Sequence, residues 1–341
     1  MIKEVLRLIK PGAFLPCFEF DSADDENKVI VRPKVISICA ADQRYFQGKR
    51  PQPVLDKKLP MALIHEALGI CLYDPLKIIP KGSACVLVPI DSTRERENLN
   101  YLPDVRFRSS GCDGFCQELM SLPREEVIPV GELNELFVFA ELVSVCCQAL
   151  KRAGLNGPEA AATERTIAVL GDGSMGFIMA LTCKYCLPKS RIQIFGKHEF
   201  KLAYFSFADK IASIYDESAL KTSSCDCCFE CVGGEGSQDA IALCQRLCRP
   251  CGRIVMLGVS EHPVSLNSRG VLEKGLTLAG TSRSVRADFI RAVEFLKIPD
   301  FRNQLSKMIS ACYDVHNYQE LENSFINDLN NQFKTLCRLD L

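Results

Sequence analysis

Thr166-Ile167-Ala168-Val169-Leu170-Gly171-Asp172-Gly173-Ser174-Met175-Gly176 decides the fold class of this 341-residue chain. TIAVL is a short apolar run of strand length, and Gly176 to Cys186 continues it as an apolar helix. The glycines between them have separate tasks. Gly171 permits a tight turn, Gly173 lets backbone approach a pyrophosphate, and Gly176 lets helix and strand pack closely. The first turn of such a helix presents unpaired N–H groups to an anion, here together with Ser174 and Met175. A glycine pattern alone is weak, since plain structural turns are common; the strand before it and the helix after it give it meaning.

Outward from this motif the same alternation repeats. Ile192 to Phe195 reads as a second strand, Phe200 to Phe207 as a helix, and Cys227 to Val232 as a third strand. Ser237 to Cys248 reads as a helix, followed by strands at Arg253–Leu257 and Leu276–Ala279. Strands alternating with helices imply right-handed crossovers and a doubly wound parallel sheet, an α/β Rossmann dinucleotide-binding domain. The residues before it have a different texture. VIVRPKVISIC (29–39) and ACVLVPI (84–90) are β-branched runs, Pro80-Lys81-Gly82 and Asp113-Gly114 are turn signals, and FCQELMSL (115–122) is a strand candidate. Asp91 to Arg108 is polar and reads as a surface loop or short helix, and apolar spacing becomes helical from Leu133 to Arg152. After Ser284 come helical segments at Asp288–Leu296 and Gln304–Met308 and a closing strand, KTLCRL. The expected organisation is a β-rich domain of residues 1–148 and 285–341 interrupted by a nucleotide-binding domain of residues 149–284.

The end of the second strand addresses the choice of dinucleotide. A carboxylate about 20 residues past the glycine motif would bind the ribose 2′-hydroxyl of NAD. Here Gly196 occupies that place, with Lys197 beside it and Lys201 one helical turn later. Loss of the acid and gain of cations suits a 2′-phosphate, so NADP(H) is expected; the plain alternative is that both lysines are solvated surface charges.

Composition narrows the field. Forty-one Lys and Arg against 42 Asp and Glu give a net charge of −1, which disfavours a nucleic-acid or anionic-membrane partner. The N-terminal MIKEVLRLIKPG lacks a signal-peptide core, and the longest apolar stretches, such as Met175 to Cys183, fall short of the ~20 residues of a membrane span. A cytoplasmic protein is therefore expected, with its 19 cysteines mostly reduced and buried as small hydrophobes. Cys225, Cys227, Cys228 and Cys231, and Cys244, Cys248 and Cys251, have spacings that partly suit a metal. Strand alternation argues against their converging on one ion.

Cys39-Ala40-Ala41-Asp42 ends a strand, and His65-Glu66 follows Leu63-Ile64. Thiolate and imidazole are good zinc ligands, yet a lone cysteine or histidine is more often part of a core. In order, Cys39-x-x-Asp42, His65-Glu66-x-x-Gly69, Lys81-Gly82, Gly114-Phe115 and the glycine motif resemble the zinc-dependent medium-chain alcohol and polyol dehydrogenases. ICAADQRYFQGKR (38–50), KLPMALIHE (58–66), FRSSGCDGF (107–115), AELVSV (140–145), FECVGGEGSQ (229–238), LGVSEHPV (257–264) and LEKGLTLAGTSRS (272–284) resemble more narrowly the ribulose-5-phosphate reductases, also called ribitol-5-phosphate dehydrogenases, over about residue 28 to the C-terminus.

The resemblance implies a GroES-like catalytic domain and one catalytic zinc on Cys39, His65, Glu66 and Glu141. Glu66 would alternate with water or substrate oxygen, and Asp42 would orient the histidine. No cysteine lies in residues 91–111, where the wider family holds a structural zinc, so none is expected. Ala41 stands where many alcohol dehydrogenases carry a Ser or Thr proton relay, which leaves Tyr45 or a water near Glu66 as proton donor. The implied reaction is NADPH reduction of D-ribulose 5-phosphate to D-ribitol 5-phosphate, for CDP-ribitol in wall teichoic acid or capsule synthesis. A ribitol-5-phosphate cytidylyltransferase would act next, and a homo-oligomer is usual among such enzymes. Arg44, Lys49, Arg106, Arg108, Arg269 and Arg283 are the candidate phosphate ligands, with Arg44 and Arg108 favoured. Two rival readings are a zinc polyol dehydrogenase on sorbitol or xylitol and a non-catalytic NADPH-binding redox sensor.

Overall fold

Thr166–Leu170 lies at the centre of a six-stranded sheet, flanked by Arg191–Gly196 and Cys225–Glu230. Lys210–Ser213 lies outside the first, and Cys248–Met256 and Thr277–Gly280 outside the second. Every pairing is parallel, and in the chain order of this sheet the strands run 3-2-1-4-5-6, the doubly wound dinucleotide-binding arrangement. The computed structural model describes residues 2–21, 25–93 and 98–341, and two compact units emerge: Met1–Glu141 with Ser284–Leu341, and Leu142–Arg283. The boundary falls inside the helix Ala140–Arg152.

The expected α/β class is what the structure shows, with several local differences. Lys210–Ser213 is a strand that the sequence pattern did not reveal, because KIAS is short and half-exposed at a sheet edge. Sequence periodicity places a helix over Gln304–Met308; the helix runs instead over Pro299–Ser306, started by Pro299, whose fixed φ and missing N–H suit a first helical position. FCQELMSL is regular strand only from Met120. Before that, Gly114, Phe115 and Cys116 donate backbone N–H groups to the carbonyls of Ala62, Ile64 and Leu63. Of the polar Asp91–Arg108 stretch, residues 94–97 lie outside the described residues.

The other unit is built on antiparallel pairing except between Ile309–Val315 and Lys334–Leu339, which run parallel. Its larger sheet runs Ile309–Val315, Lys334–Leu339, Lys28–Ile38, Ala67–Tyr73, Ala84–Leu87, Val127–Gly131, with Met120–Pro123 also paired to Lys28–Ile38. A second sheet joins the hairpin Ile2–Lys10 and Ala13–Phe20 to Met61–Ala62. The hairpin turns at Pro11-Gly12, where Gly12 has φ +77°. Phe14, Phe46 and Phe325 meet at ring-centroid distances of 4.9–5.9 Å, tying the hairpin, the helix Ala40–Phe46 and the helix Tyr318–Asp328 into one core. The long strand Lys28–Ile38 ends at Cys39, and Lys334–Leu339 lies alongside it. That pairing brings the C-terminal part of the chain to the residues the sequence singled out.

No helix among the described residues is long and apolar enough to cross a membrane. All 19 cysteines are free thiols. Alternation along Cys225–Glu230 would send Cys225 and Cys228 to opposite faces, yet both belong to one core cluster, where the pairing with Cys248–Met256 is irregular between Cys225 and Cys227. There Cys228 Sγ lies 3.2 Å from Cys244 Sγ and Cys225 Sγ 3.8 Å from Cys248 Sγ.

Gly176 packs so tightly that a Cβ on it would lie 2.0 Å from the carbonyl oxygen of Gly171. The Gly176→Ala variant is expected to lose about 1–3 kcal/mol of stability, with the glycine turn displaced. Chemical denaturation monitored by circular dichroism checks this.

Candidate active site

Cys39 caps the N-terminus of the helix Ala40–Phe46, its Sγ accepting from the N–H of Ala41 at 3.2 Å. Asp42 completes a capping box by accepting from the N–H of Cys39 at 3.3 Å. Its other oxygen, Oδ1, accepts from the N–H of Ile64 at 3.0 Å and from the hydroxyl of Ser109 at 2.6 Å. That oxygen also lies 3.5 Å from His65 Nδ1. One fully buried carboxylate therefore gathers three chain segments at Cys39, Ile64 and Ser109.

Ile64 has φ +78°, a conformation that costs a β-branched residue about 1–3 kcal/mol. It is held there from both sides, by Asp42 at its N–H and by the N–H of Phe115 donating to its carbonyl at 2.8 Å. The bend turns His65 so that Nε2 lies 3.2 Å from Cys39 Sγ. Gly114 makes the crossing possible, since a Cβ there would lie 2.2–2.6 Å from backbone atoms of Leu63 and Ile64.

Two groups of ligand atoms share His65: Cys39, Asp42 and His65, and His65, Glu66 and Glu141, each set within 4.8 Å. Four acidic groups, three of them buried and Cys39 partly so, thus surround one imidazole. Burial and the Asp42 charge raise the Cys39 thiol above its ordinary value, against the lowering pull of His65. Burial would also raise Asp42, but His65, Ser109 and the Ile64 N–H bring it down to about 2. Burial would lower His65, yet Cys39 and Asp42 hold it well above an ordinary imidazole. Burial pushes Glu141 up to about 7, against the pull of His65 and with the Glu66 charge adding to it.

A buried cluster of this composition is short of positive charge. Its nearest internal cation is Lys334, whose Nζ donates to Glu66 Oε1 at 2.9 Å and to the Ile38 carbonyl at 2.6 Å. Burial acts to lower the Lys334 value, but the charges of Glu66 and Cys39 raise it. The second oxygen, Glu66 Oε2, is buried and has no hydrogen-bond partner among the described residues. That orphaned oxygen, with a thiol, an imidazole and a second carboxylate close by, is the donor set a zinc ion takes.

In the parallel-sheet unit, a cavity of about 560 Å³ opens at the carboxyl ends of the central strands. Gly171, Gly173, Gly196 and Lys197 line it, with Asp172 and His198. Gly171 has φ +124°, and the helix Ser174–Cys186 begins at Gly173 without a side-chain cap. Ser174, Met175 and Gly176 form its first turn and are not among the lining residues. Lys201 is not among them either; its ammonium lies 6.0 Å from the Phe200 ring.

Gly196 has a steric reason as well as an electrostatic one. A Cβ there would lie 2.7 Å from Asp172 Cβ. Asp172 accepts from the N–H groups of Lys197 and His198 at 2.7 and 2.6 Å, and its Oδ2 lies 3.1 Å from His198 Nδ1. Asp172 was visible as the variable residue of the glycine motif, but its partners lie 25 and 26 residues on. Lys334 and Ser109 escaped the sequence reading for the same reason, being remote in the chain from the residues they hold.

A doubly wound nucleotide-binding sheet in one unit, and in the other a β-rich fold that gathers Cys39, His65, Glu66 and Glu141, place the protein among the medium-chain dehydrogenases. No family model matches the chain. It is 40% identical over 347 residues to the ribulose-5-phosphate reductase of Bacillus spizizenii, covering 100% of each, and 37% identical to that of Streptococcus pneumoniae, covering 100% of this chain and 98% of the other. The structure of S. aureus TarJ in complex with NADPH superposes with a TM-score of 0.88 at 34% identity, covering 100% of both chains. L-idonate 5-dehydrogenase of Escherichia coli shares the fold, with a TM-score of 0.84 at 19% identity over 99% of this chain and 98% of the other. The chain belongs to the ribulose-5-phosphate reductase family.

Replacing Lys334 by Met strands the buried Glu66 carboxylate and is expected to cost about 3–5 kcal/mol, partly recovered in the Lys334→Met, Glu66→Gln double variant. Urea denaturation of the three proteins checks this. Lys197→Asp is expected to weaken NADPH binding about tenfold or more while NADH binding changes little, read by fluorescence titration of each cofactor.

Proposed function

We propose that this protein reduces D-ribulose 5-phosphate to D-ribitol 5-phosphate with NADPH, using one zinc ion. The observation that carries this reading is the end-to-end similarity to ribulose-5-phosphate reductases. The group of Cys39, His65, Glu66 and Glu141 and the cavity beside Gly171, Gly173 and Lys197 support it. In this reading residues 149–284 bind NADP(H), and residues 1–148 with 285–341 carry the chemistry.

Cys39, His65, Glu66 and Glu141 would hold the zinc, which supplies Lewis-acid polarisation of the C2 carbonyl and stabilises charge developing on its oxygen. NADPH supplies the hydride. Asp42 keeps His65 in one orientation, with Nδ1 towards the carboxylate and Nε2 towards Cys39. Lys334 neutralises Glu66 at Oε1 and leaves Oε2 to exchange a proton or a ligand. Ala41 has no proton to give, and the product oxygen needs one. We assign that transfer to Glu66 Oε2 by way of water, since that oxygen adjoins the ligand group, whereas Tyr45, the other candidate, lies at the opposite end of the helix that Cys39 begins.

The reading places the enzyme in the cytoplasm, the reducing compartment that its free thiols suit. A homo-oligomer and a cytidylyltransferase acting on the product, towards CDP-ribitol for wall teichoic acid or capsule, complete the proposal.

NADPH consumption with a panel of pentulose phosphates, unphosphorylated ribulose, sorbitol and xylitol tests it. Ribulose 5-phosphate is expected to be reduced with kcat/KM at least about 10²-fold above ribulose. Chelation should abolish turnover, and metal analysis should show the Cys39→Ser variant without zinc. Preference for sorbitol or xylitol would make the protein a polyol dehydrogenase, and bound zinc without turnover of any ketose would make it a redox sensor.

A further inference from the structure

We infer that the substrate's phosphate is held by a cation cluster at the far end of the helix that Cys39 begins, formed by Lys58, Arg50 and Ser110 around Tyr45. This rests on the reading of the substrate as a ketose phosphate. Lys58 Nζ is half-buried and donates to the Tyr45 hydroxyl at 3.0 Å and to the Ser110 hydroxyl at 3.2 Å. Among the described residues its hydrogen-bond partners are both uncharged, and it also lies 5.7 Å from the Tyr45 ring centroid. The Arg50 guanidinium lies 5.1 Å from the same centroid. A half-buried ammonium with neutral partners is only partly compensated for its lost hydration. A doubly charged phosphate supplies that compensation, taking hydrogen bonds from Lys58, Ser110 and the Tyr45 hydroxyl hydrogen, which the Lys58 contact leaves available.

The cluster is tied to the zinc-ligand candidates by short paths of covalent and hydrogen bonds. Ser110 adjoins Ser109, whose hydroxyl donates to Asp42, and Asp42 faces His65. Tyr45 lies in the helix capped by Cys39, about 9 Å along its axis at 1.5 Å per residue. A ketose phosphate has the same polarity, with the reacting carbonyl at one end of the chain and the dianion three carbons away.

Arg108, favoured from the sequence, fits the task less well. Its guanidinium donates to Glu126 at 2.9 Å and lies 5.7 Å from the Phe115 ring centroid, so its counter-charge is already in place. Arg44 adjoins Tyr45 on the helix and is left outside the assignment.

Holoenzymes carrying Lys58→Met, Lys58→Arg and Ser110→Ala test the inference, with zinc content and NADPH binding measured for each as controls of folding. The readout is the ratio of kcat/KM for ribulose 5-phosphate to that for ribulose. It should fall about 10- to 100-fold in Lys58→Met, mainly through KM, less in Ser110→Ala, and recover in Lys58→Arg. An unchanged ratio in Lys58→Met, or an equal loss with both substrates, overturns the assignment. A second arm titrates inorganic phosphate by calorimetry: binding that is lost in Lys58→Met supports the cluster even if the wild-type enzyme reduces no ketose phosphate. Phosphate binding that Lys58→Met retains overturns the cluster while leaving the ketose-phosphate reading intact.

Discussion

The Asp42 carboxylate is the constraint on which the arrangement of the β-rich unit's site depends. It is fully buried, and it accepts from three donors on three segments. A buried carboxylate without such donors would cost several kcal/mol, so the segments that supply them cannot move apart cheaply. The same bonds hold Ile64 at positive φ and set the direction of His65. Strain in the backbone is thus offset by a hydrogen-bond network, and the thiol and imidazole are brought together before any metal binds.

The charge balance around that network has two levels. Glu66 is half satisfied by Lys334, and its remaining oxygen has no partner. Cys39 and Glu141 are both pushed by burial towards their neutral forms. A divalent cation reverses that tendency by favouring the charged forms of its ligands. Lys334 comes from the strand Lys334–Leu339, which runs beside Lys28–Ile38, so the C-terminal part of the chain supplies the counter-charge for a site laid down in its first third.

At the other site the controlling fact is closeness rather than charge. Gly171, Gly176 and Gly196 each stand where a Cβ would meet atoms within about 2.0–3.1 Å. Gly196 reads in the sequence as a missing acid, and the structure adds Asp172, whose carboxylate fills the space and caps the next two N–H groups. The absence of a side chain at Gly196 is therefore both a cofactor signal and a packing requirement. The abundant cysteines are explained by packing: most are buried, and the cluster around Cys228 and Cys244 belongs to the core of the parallel-sheet unit.

Local pattern was enough for the parallel sheet and for the glycine turn, because strand and helix periods and glycine turns are properties of contiguous residues, whereas Cys39, His65, Glu66 and Glu141 stood out as a set only through the resemblance to zinc-dependent dehydrogenases. Lys210–Ser213 was missed for want of length, and the register shift after Cys225 because a bulge has no signature in strand alternation. Which oxygen of Glu66 is occupied, what orients His65, and what Lys58 bonds to depended on contacts between residues far apart in the chain. Lys334 and Glu66 are separated by 268 positions, and Ser109 and Asp42 by 67. Such pairs leave no periodic trace, since they form only when sheet register brings two distant segments side by side. The sequence by itself determined which elements form and which residue types could do chemistry; tertiary structure alone decided which of them share a charge, a proton or a ligand.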